Sequence, residues 1–130
     1  MNNCINCKKI INNRNKYCSV KCQKEYEYKT YIEQWKNNHV SGLRGDYQIS
    51  MHIKRYLFNK YNNKCVKCGW GETNIHTGNI PLEVEHIDGN YENNREDNLI
   101  LLCPNCHSLT STYKGANLNN GRKQRRKYYY

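Results

Sequence analysis

The sequence has few of the residues that build a large apolar core. Among its 130 residues there are one Phe and two Trp, and the mean hydropathy is −1.07. A chain of this length has room for one modest domain or two very small ones, and so polar a chain needs a staple beyond its core. The sequence also lacks an apolar run that could cross a membrane and an apolar N-terminal stretch typical of a signal peptide. We therefore expect an intracellular protein that is stabilised by something other than apolar packing.

The eight cysteines supply a candidate for that stabilisation. They fall into four closely spaced pairs with none left over: Cys4/Cys7, Cys18/Cys22, Cys65/Cys68 and Cys103/Cys106. Because a short loop aims two thiolates at one ion, this spacing predicts two tetrahedral Cys4 zinc sites. The alternative is the disulfide framework of a small secreted protein. The missing signal peptide favours zinc.

Charge is unevenly distributed along the chain. The net charge is +10, yet residues 72–97 hold seven acidic residues and a single basic one, Arg95. A basic body around an acidic island is what a cation-using protein that binds nucleic acid would need. Ordinary solubility charge is the alternative, but it would be less segregated. We expect DNA as the partner.

Hydrophobic periodicity divides the chain into four parts. Helices are predicted over 23–38 and 49–61, strands near 82–87 and 98–102, and a further helix from about Pro104. The parts are an N-terminal Cys4 knuckle plus helix (1–40), a linker and helix (41–62), a module rich in candidate site residues (63–113) and a basic tail, expected to be disordered (114–130). The predicted class is a small, zinc-stabilised α+β protein.

The two cysteine quartets repeat one plan. In both, the second pair leads into a predicted helix, whose N-terminus favours thiolate. This arrangement is typical of a treble-clef zinc fold, here used twice. Ten residues separate the pairs of the first quartet and 34 separate those of the second, which is long enough for a hairpin that carries other chemistry.

Four residues suited to phosphodiester hydrolysis lie between the cysteines of the second quartet or directly after them. Alternation along a strand puts Glu85 and His86 on opposite faces, so we assign Glu85 to a divalent ion and His86 to the activation of water. Asn98 is the candidate for holding His86 in one tautomer, and His107 for the second metal ligand. Taken singly, Glu85 could be a solvated acid and His107 a surface residue beside zinc; taken together, the set favours a nuclease centre.

These residues carry a resemblance to a known family. The pattern Cys-x2-Cys, Leu-Glu-Val-Glu-His-Ile-Asp-Gly-Asn, then Asn-Leu-Ile-Leu-Leu-Cys-Pro-Asn-Cys-His resembles the HNH endonucleases, in particular their zinc-clipped, often phage-borne branch. The resemblance covers roughly residues 63–113, and the name-giving residues correspond to His86, Asn98 and His107. It implies a ββα-metal core, one Mg2+ or similar ion, cleavage to 5′-phosphate and 3′-hydroxyl ends, and a phage-encoded protein acting in a bacterial host.

Two positions depart from the family pattern. Glu85 stands where many members have Asp, and its longer side chain could alter metal preference. Ser111 stands four residues after His107, where some members have a third protein ligand. Serine is a poor ligand, so we expect water to complete the shell, as Mg2+ readily allows.

The sequence therefore predicts an HNH endonuclease with two structural zinc ions and one catalytic divalent ion. A single module offers one active site, so we expect nicking by a monomer and double-strand cleavage only by a homodimer. The alternative is a zinc-dependent DNA-binding protein without cleavage activity, and nothing in the sequence separates duplex DNA from branched or RNA substrates. The basic tail is expected to contact nucleic acid through Arg122, Lys123, Arg125, Arg126 and Lys127.

Overall fold

The computed structural model describes residues 1–111 and 113. These residues belong to two compact units, Met1–Val40 and Ser41–Tyr130. Both are built from short strands and helices, so the protein is a small α+β protein. No helix among the described residues combines the length and apolar character needed to span a membrane.

The first unit joins a small hairpin to one long helix. Strands β1 (Asn2–Asn3) and β2 (Ile10–Ile11) pair antiparallel, and helix α1 spans Val20–Lys36. The helix begins three residues earlier than its periodicity predicts because the Ser19 hydroxyl accepts a hydrogen bond from the Cys22 N–H, at 3.1 Å. It ends before Asn38, which adopts a left-handed conformation with φ of 59°.

The second unit begins with a hairpin where the sequence predicts only a linker. Strands β3 (Leu43–Arg44) and β4 (Gln48–Ile49) pair antiparallel. Periodicity could not reveal them because each strand is only two residues long. Gly42 and Gly45 have positive φ and flank strand β3. The two glycines that interrupt the helical pattern of the sequence are therefore part of this hairpin.

Helix α2 (Met51–Lys60) follows and packs on the strand that precedes the last helix. As its periodicity predicts, Ile53 and Leu57 are fully buried. The phenol of Tyr56 donates to the Glu96 carboxylate at 2.6 Å, and that of Tyr61 donates to the Leu99 carbonyl at 3.3 Å. Tyrosines thus contribute both apolar surface and polar anchors in a chain that has few other aromatic residues.

A third hairpin and a short helix follow. Strands β5 (Glu83–His86) and β6 (Leu99–Leu102) pair antiparallel with Glu85 opposite Ile100 and His86 opposite Leu99. One 3₁₀ turn, Glu96–Asn98, leads into β6. Helix α3 (Pro104–Ser108) starts at the predicted proline but is only five residues long.

Candidate active site and metal centres

Each cysteine quartet gathers its four sulfur atoms around one point. All eight cysteines are free thiols, and within each quartet the sulfur atoms lie within 4.8 Å of one another. Four Zn–S bonds of about 2.3 Å in a tetrahedron imply sulfur atoms about 3.8 Å apart. The Sγ atoms of Cys7 and Cys18, and those of Cys68 and Cys103, are 3.7 Å apart. Both quartets could therefore hold zinc with little rearrangement.

The two quartets also share a backbone arrangement. In each, the N–H of the first cysteine donates to the carbonyl five residues later, and its own carbonyl accepts from the N–H four residues later. These bonds are Cys4 N to Lys9 O (2.7 Å), Lys8 N to Cys4 O (2.9 Å), Cys65 N to Trp70 O (2.7 Å) and Gly69 N to Cys65 O (2.9 Å). The repeated spacing in the sequence thus corresponds to a repeated local conformation.

This conformation prepares the first thiol of each quartet for a metal. Burial raises the pKa of Cys4 and Cys65, but three backbone N–H donors around each sulfur lower it to about 6. The donors belong to Cys7, Cys18 and Asn6 for Cys4, and to Cys103, Cys68 and Lys67 for Cys65. Both are thiolates at neutral pH, the form that binds zinc.

One further thiol in each quartet, Cys18 in the first and Cys106 in the second, has a raised pKa. A hydrogen bond to Cys22 raises the pKa of Cys18 to about 11, and one to Cys103 raises that of Cys106 to about 12. Cys18 and Cys106 therefore hold their protons tightly, in contrast to Cys4 and Cys65. A central dication would displace these protons.

The second unit places His107 between two carboxylates. Its Nδ1 lies 2.6 Å from Glu85 Oε2, and its Nε2 lies 3.0 Å from Glu83 Oε2. Glu85 is only 6% exposed, and the Tyr113 ring meets the His107 ring edge-on at 5.2 Å. The sequence-predicted pair Glu85 and His107 is thus in direct contact.

Glu83 is a residue that the sequence interpretation missed. Its carboxylate is half-exposed and shares the β5 face of Glu85, two residues away. The spacing Glu-x-Glu on a strand carried this signal, because alternation puts both acids on the side where His107 arrives. A metal-binding imidazole commonly donates its second N–H to such a carboxylate.

The His86 ring contacts the side chain of Asn94. The Nε2 atom of its ring lies 2.6 Å from Asn94 Oδ1. Asn94 is 4% exposed and follows β5 by eight residues. Asn94 is not among the site residues that the sequence predicts, since an asparagine in an asparagine-rich loop carries no sign of such a contact.

Asn98 braces the loop between β5 and β6. The sequence predicts that it holds the His86 ring, but its side chain bonds Asp88 and Asn93 instead. Its Oδ1 accepts from the Asp88 N–H at 3.1 Å, and its Nδ2 donates to Asp88 Oδ1 at 2.9 Å and to the Asn93 carbonyl at 2.8 Å. Partial burial raises the pKa of Asp88, but hydrogen bonds from Asn93, the Asn90 N–H and Asn98 outweigh it, so the pKa lies below its ordinary value.

The other predicted residues differ in how far the structure describes them. Ser111 is exposed, in a turn after α3. The five basic residues predicted to contact nucleic acid, Arg122, Lys123, Arg125, Arg126 and Lys127, lie outside the described residues.

Comparison with known proteins finds a family match within the second unit. Residues 65–112, which include the second quartet, Glu85, His86, Asn98 and His107, match the family model for HNH endonucleases. This segment is an HNH endonuclease domain. Ahead of it, the hairpin β3–β4 and helix α2 belong to the same compact unit.

A curated relative supports the assignment of the HNH domain. Over 94 residues the chain is 43% identical to the H-N-H endonuclease F-TflIV of Escherichia phage T5. The aligned stretch is 65% of this chain and longer than the family match, so the similarity extends beyond the HNH domain. It covers 39% of the relative, so the chain corresponds to well under half of that protein. No solved structure matches the chain.

Proposed function

We propose that the protein is a metal-dependent endonuclease that hydrolyses DNA phosphodiester bonds. The observation that carries the proposal is the division of labour at the end of β5. Glu85 contacts His107 at 2.6 Å on one side, while His86 contacts Asn94 on the other. A candidate metal ligand, Glu85, and a candidate base, His86, therefore occupy consecutive positions of one strand without neutralising each other.

Glu85 and His107 are suited to hold the divalent ion. Neighbouring ligands around Mg2+ lie about 3.0 Å apart when each bond is about 2.1 Å, so Glu85 Oε2 and His107 Nδ1 need to separate by only a few tenths of an ångström. Glu83 can accept the Nε2–H of His107, which leaves Nδ1 unprotonated and free for the ion. Water completes the shell, since Ser111 is a poor ligand.

His86 is the proposed general base. It would take a proton from water as the water oxygen attacks phosphorus and the bond from phosphorus to the 3′ oxygen breaks. The products would carry 5′-phosphate and 3′-hydroxyl ends, the leaving oxygen taking its proton from solvent. An ion held by Glu85 and His107 would neutralise charge on the phosphate and stabilise the leaving oxygen.

The two cysteine quartets are proposed as structural zinc sites. Each has four thiol ligands, which leaves no position open for substrate. The second quartet joins the start of the HNH domain to α3, and it therefore fixes His107 relative to the hairpin that carries Glu85. Zinc would then affect catalysis only by holding His107 and Glu85 in position.

DNA is the proposed substrate because the net charge is +10 and the acidic residues are concentrated around the site. One HNH domain supplies one active site, so we propose nicking by a monomer, with double-strand cleavage requiring a homodimer. The basic segment 122–127 is proposed to add phosphate contacts. The similarity to a phage protein supports a phage origin, with action inside a bacterial host.

Three substitutions test the proposed chemistry. Glu85→Ala and His86→Ala should each abolish Mg2+-dependent nicking of supercoiled DNA, and both variants should retain two zinc ions per chain. His107→Ala should weaken Mg2+ binding in calorimetry, whereas His86→Ala should not. The exposed residues Glu72 and His76 provide matched controls, and their alanine variants should cut normally.

Two results would contradict the proposal. Nicking retained by both Glu85→Ala and His86→Ala would remove these residues from the reaction. DNA binding by the zinc-loaded wild type without cleavage under any divalent ion would instead favour a zinc-dependent DNA-binding protein.

A further inference from the structure

We infer that Asn94 is the positioning residue that fixes the tautomer of His86, and that the β3–β4 hairpin holds Asn94 in place. The inference rests on the proposed role of His86 as the base. It starts from the 2.6 Å contact between His86 Nε2 and Asn94 Oδ1. The orientation of the Asn94 amide determines which atom carries the proton, and the packing around Asn94 explains why the contact is rigid.

A hydrogen bond to Ser41 fixes the orientation of the Asn94 amide. Its Nδ2 donates to the backbone carbonyl of Ser41 at 3.2 Å. A carbonyl can only accept a hydrogen bond, so the NH2 group must face Ser41 and the amide oxygen must face His86. A flipped amide would place two acceptors against each other at Ser41.

The amide oxygen of Asn94 determines which nitrogen of the His86 ring carries the proton. Asn94 Oδ1 can only accept, so the ring nitrogen beside it must be the donor, and the proton of neutral His86 is on Nε2. The lone pair is then on Nδ1, the ring nitrogen left to accept a proton from water. A base held in this tautomer needs no ring flip or proton exchange before it can react.

Close packing around Asn94 keeps its side chain in place. Gly42 lies so close that a Cβ atom there would be 2.8 Å from Asn94 Cβ and 2.9 Å from Ile53 Cδ1. Its φ of +80° also suits glycine. Ile53 is fully buried, and Gly42 accepts the Ser50 N–H at 2.8 Å. Asn94 is therefore held between His86 and the backbone that enters the hairpin.

A second contact joins the hairpin to the loop that carries Asn94. The rings of Tyr47 and Tyr91 lie 5.5 Å apart and are tilted by 49°. The hairpin thus touches this loop at two places, at its base through Ser41 and Gly42 and near its turn through Tyr47. Asn98 cannot replace Asn94, because its side chain is committed to Asp88 and Asn93.

The tautomer can be measured without any cleavage assay. Long-range proton–nitrogen NMR spectra of zinc-loaded, histidine-labelled protein distinguish a proton on Nε2 from one on Nδ1, and the His86 signals are assigned by their loss in His86→Ala. We expect Nε2–H in the wild type and a mixture of tautomers in Asn94→Ala. Asn94→Asp keeps an acceptor oxygen beside the ring and should keep the proton on Nε2, although it loses the hydrogen bond to the Ser41 carbonyl.

Cleavage kinetics give a second readout. Asn94→Ala should lower the single-turnover nicking rate about 100-fold, within the range attributed to a well-placed general base, with DNA affinity, Mg2+ affinity and zinc content unchanged. Gly42→Ala should reproduce both effects in weaker form by displacing Asn94, and it serves as the test variant if Asn94→Ala does not fold. Asn79→Ala, an exposed asparagine elsewhere in the same unit, should resemble the wild type.

The outcomes separate this inference from the proposed function. A wild-type His86 protonated on Nδ1, or an Asn94→Ala variant with unchanged tautomer and unchanged rate, would overturn the role of Asn94. A wild type that shows the expected tautomer and its loss in Asn94→Ala, but cuts no DNA with any divalent ion, would overturn the nuclease proposal and leave the positioning contact standing.

Discussion

At the scale of single residues, the two cysteine quartets share one backbone conformation but have different residues at that position. The position four residues after the first cysteine is left-handed in both, with φ of 68° at Lys8 and 80° at Gly69. Glycine adopts this conformation without strain, whereas a residue with a Cβ atom is penalised by about 1–2 kcal/mol. The first quartet therefore carries a strained lysine where the second has relaxed glycine.

We expect Lys8→Gly to stabilise the first unit by about 0.5–1 kcal/mol, the relief of strain being partly offset by the greater freedom of glycine in the unfolded chain. Urea denaturation with zinc present measures this. The reciprocal change, Gly69→Ala, should destabilise the second unit by about 1 kcal/mol, and its cause would be backbone strain alone because no atom lies within 4 Å of the added Cβ. Destabilisation by Lys8→Gly would mean that the bond from Lys8 Nζ to the Ile5 carbonyl, at 3.1 Å, outweighs the strain.

At the scale of elements, the loop between β5 and β6 depends on Asn98. The side chain of Asn98 is 8% exposed, and its three hydrogen bonds tie the start of β6 to Asp88 and Asn93. The Ile87 N–H donates to the Asn98 carbonyl at 2.9 Å, which closes the loop from the other side. Since Asn94 lies in this loop, Asn98 supports the site without touching the His86 ring.

Asn98→Ala should lower the free energy of unfolding by about 2–3 kcal/mol, because three bonds of roughly 1 kcal/mol each are lost in a buried place. Chemical denaturation of the zinc-loaded protein checks this. The exposed Asn79→Ala variant should change stability by less than about 0.5 kcal/mol. A similarly small effect of Asn98→Ala would show that the loop is held by its backbone and not by this amide.

The elements themselves were predictable where their sequence signal was long. The stripe containing Ile53 and Leu57 predicted α2, and the apolar run ending at Leu102 predicted β6. The β3–β4 hairpin was missed because two-residue strands have no periodicity to detect. The helix boundaries near Ser19 and Asn38 were set by a side-chain cap and a left-handed residue, which periodicity does not register.

At the scale of the whole molecule, we propose that zinc in the two cysteine quartets compensates for the small apolar core. Fully buried apolar side chains other than cysteine are few among the described residues, and Ile53, Leu57, Leu99, Leu101 and Leu102 account for the largest of them. Each compact unit contains one cysteine quartet. Folding of each unit should therefore be coupled to metal binding.

Because folding should be coupled to metal binding, we expect the stability of the fold to fall at low pH. The pKa of Cys4 and of Cys65 is about 6, well below the ordinary value of 9.0. A thiolate favoured in the folded state stabilises it most at high pH, and this contribution is lost as the pH falls through about 6. With a chelator present, both zinc ions should be retained at about pH 8 and released below about pH 6.

Zinc content and far-ultraviolet circular dichroism across a pH series measure this release. The Cys65→Ser variant should hold one zinc at about pH 8 and lose it over the same range, because Cys4 has the same pKa as Cys65. Zinc that leaves the wild type already at about pH 8 would show that the backbone donors do not stabilise these thiolates.

The sequence by itself determined the parts of this protein whose chemistry is written in residue type and short spacing. Four cysteine pairs specified two quartets that could hold metal ions. Strand alternation put Glu85 and His86 on opposite faces, and the place of His107 directly after Cys106 marked it as a second candidate ligand. Only the tertiary structure decided which partners these side chains meet. The Glu-x-Glu spacing indicated the side of β5 on which Glu83 lies, but the tertiary structure decided that it meets His107. Asn94 meets His86 where Gly42 closely approaches it, and such a contact leaves no pattern in a single sequence.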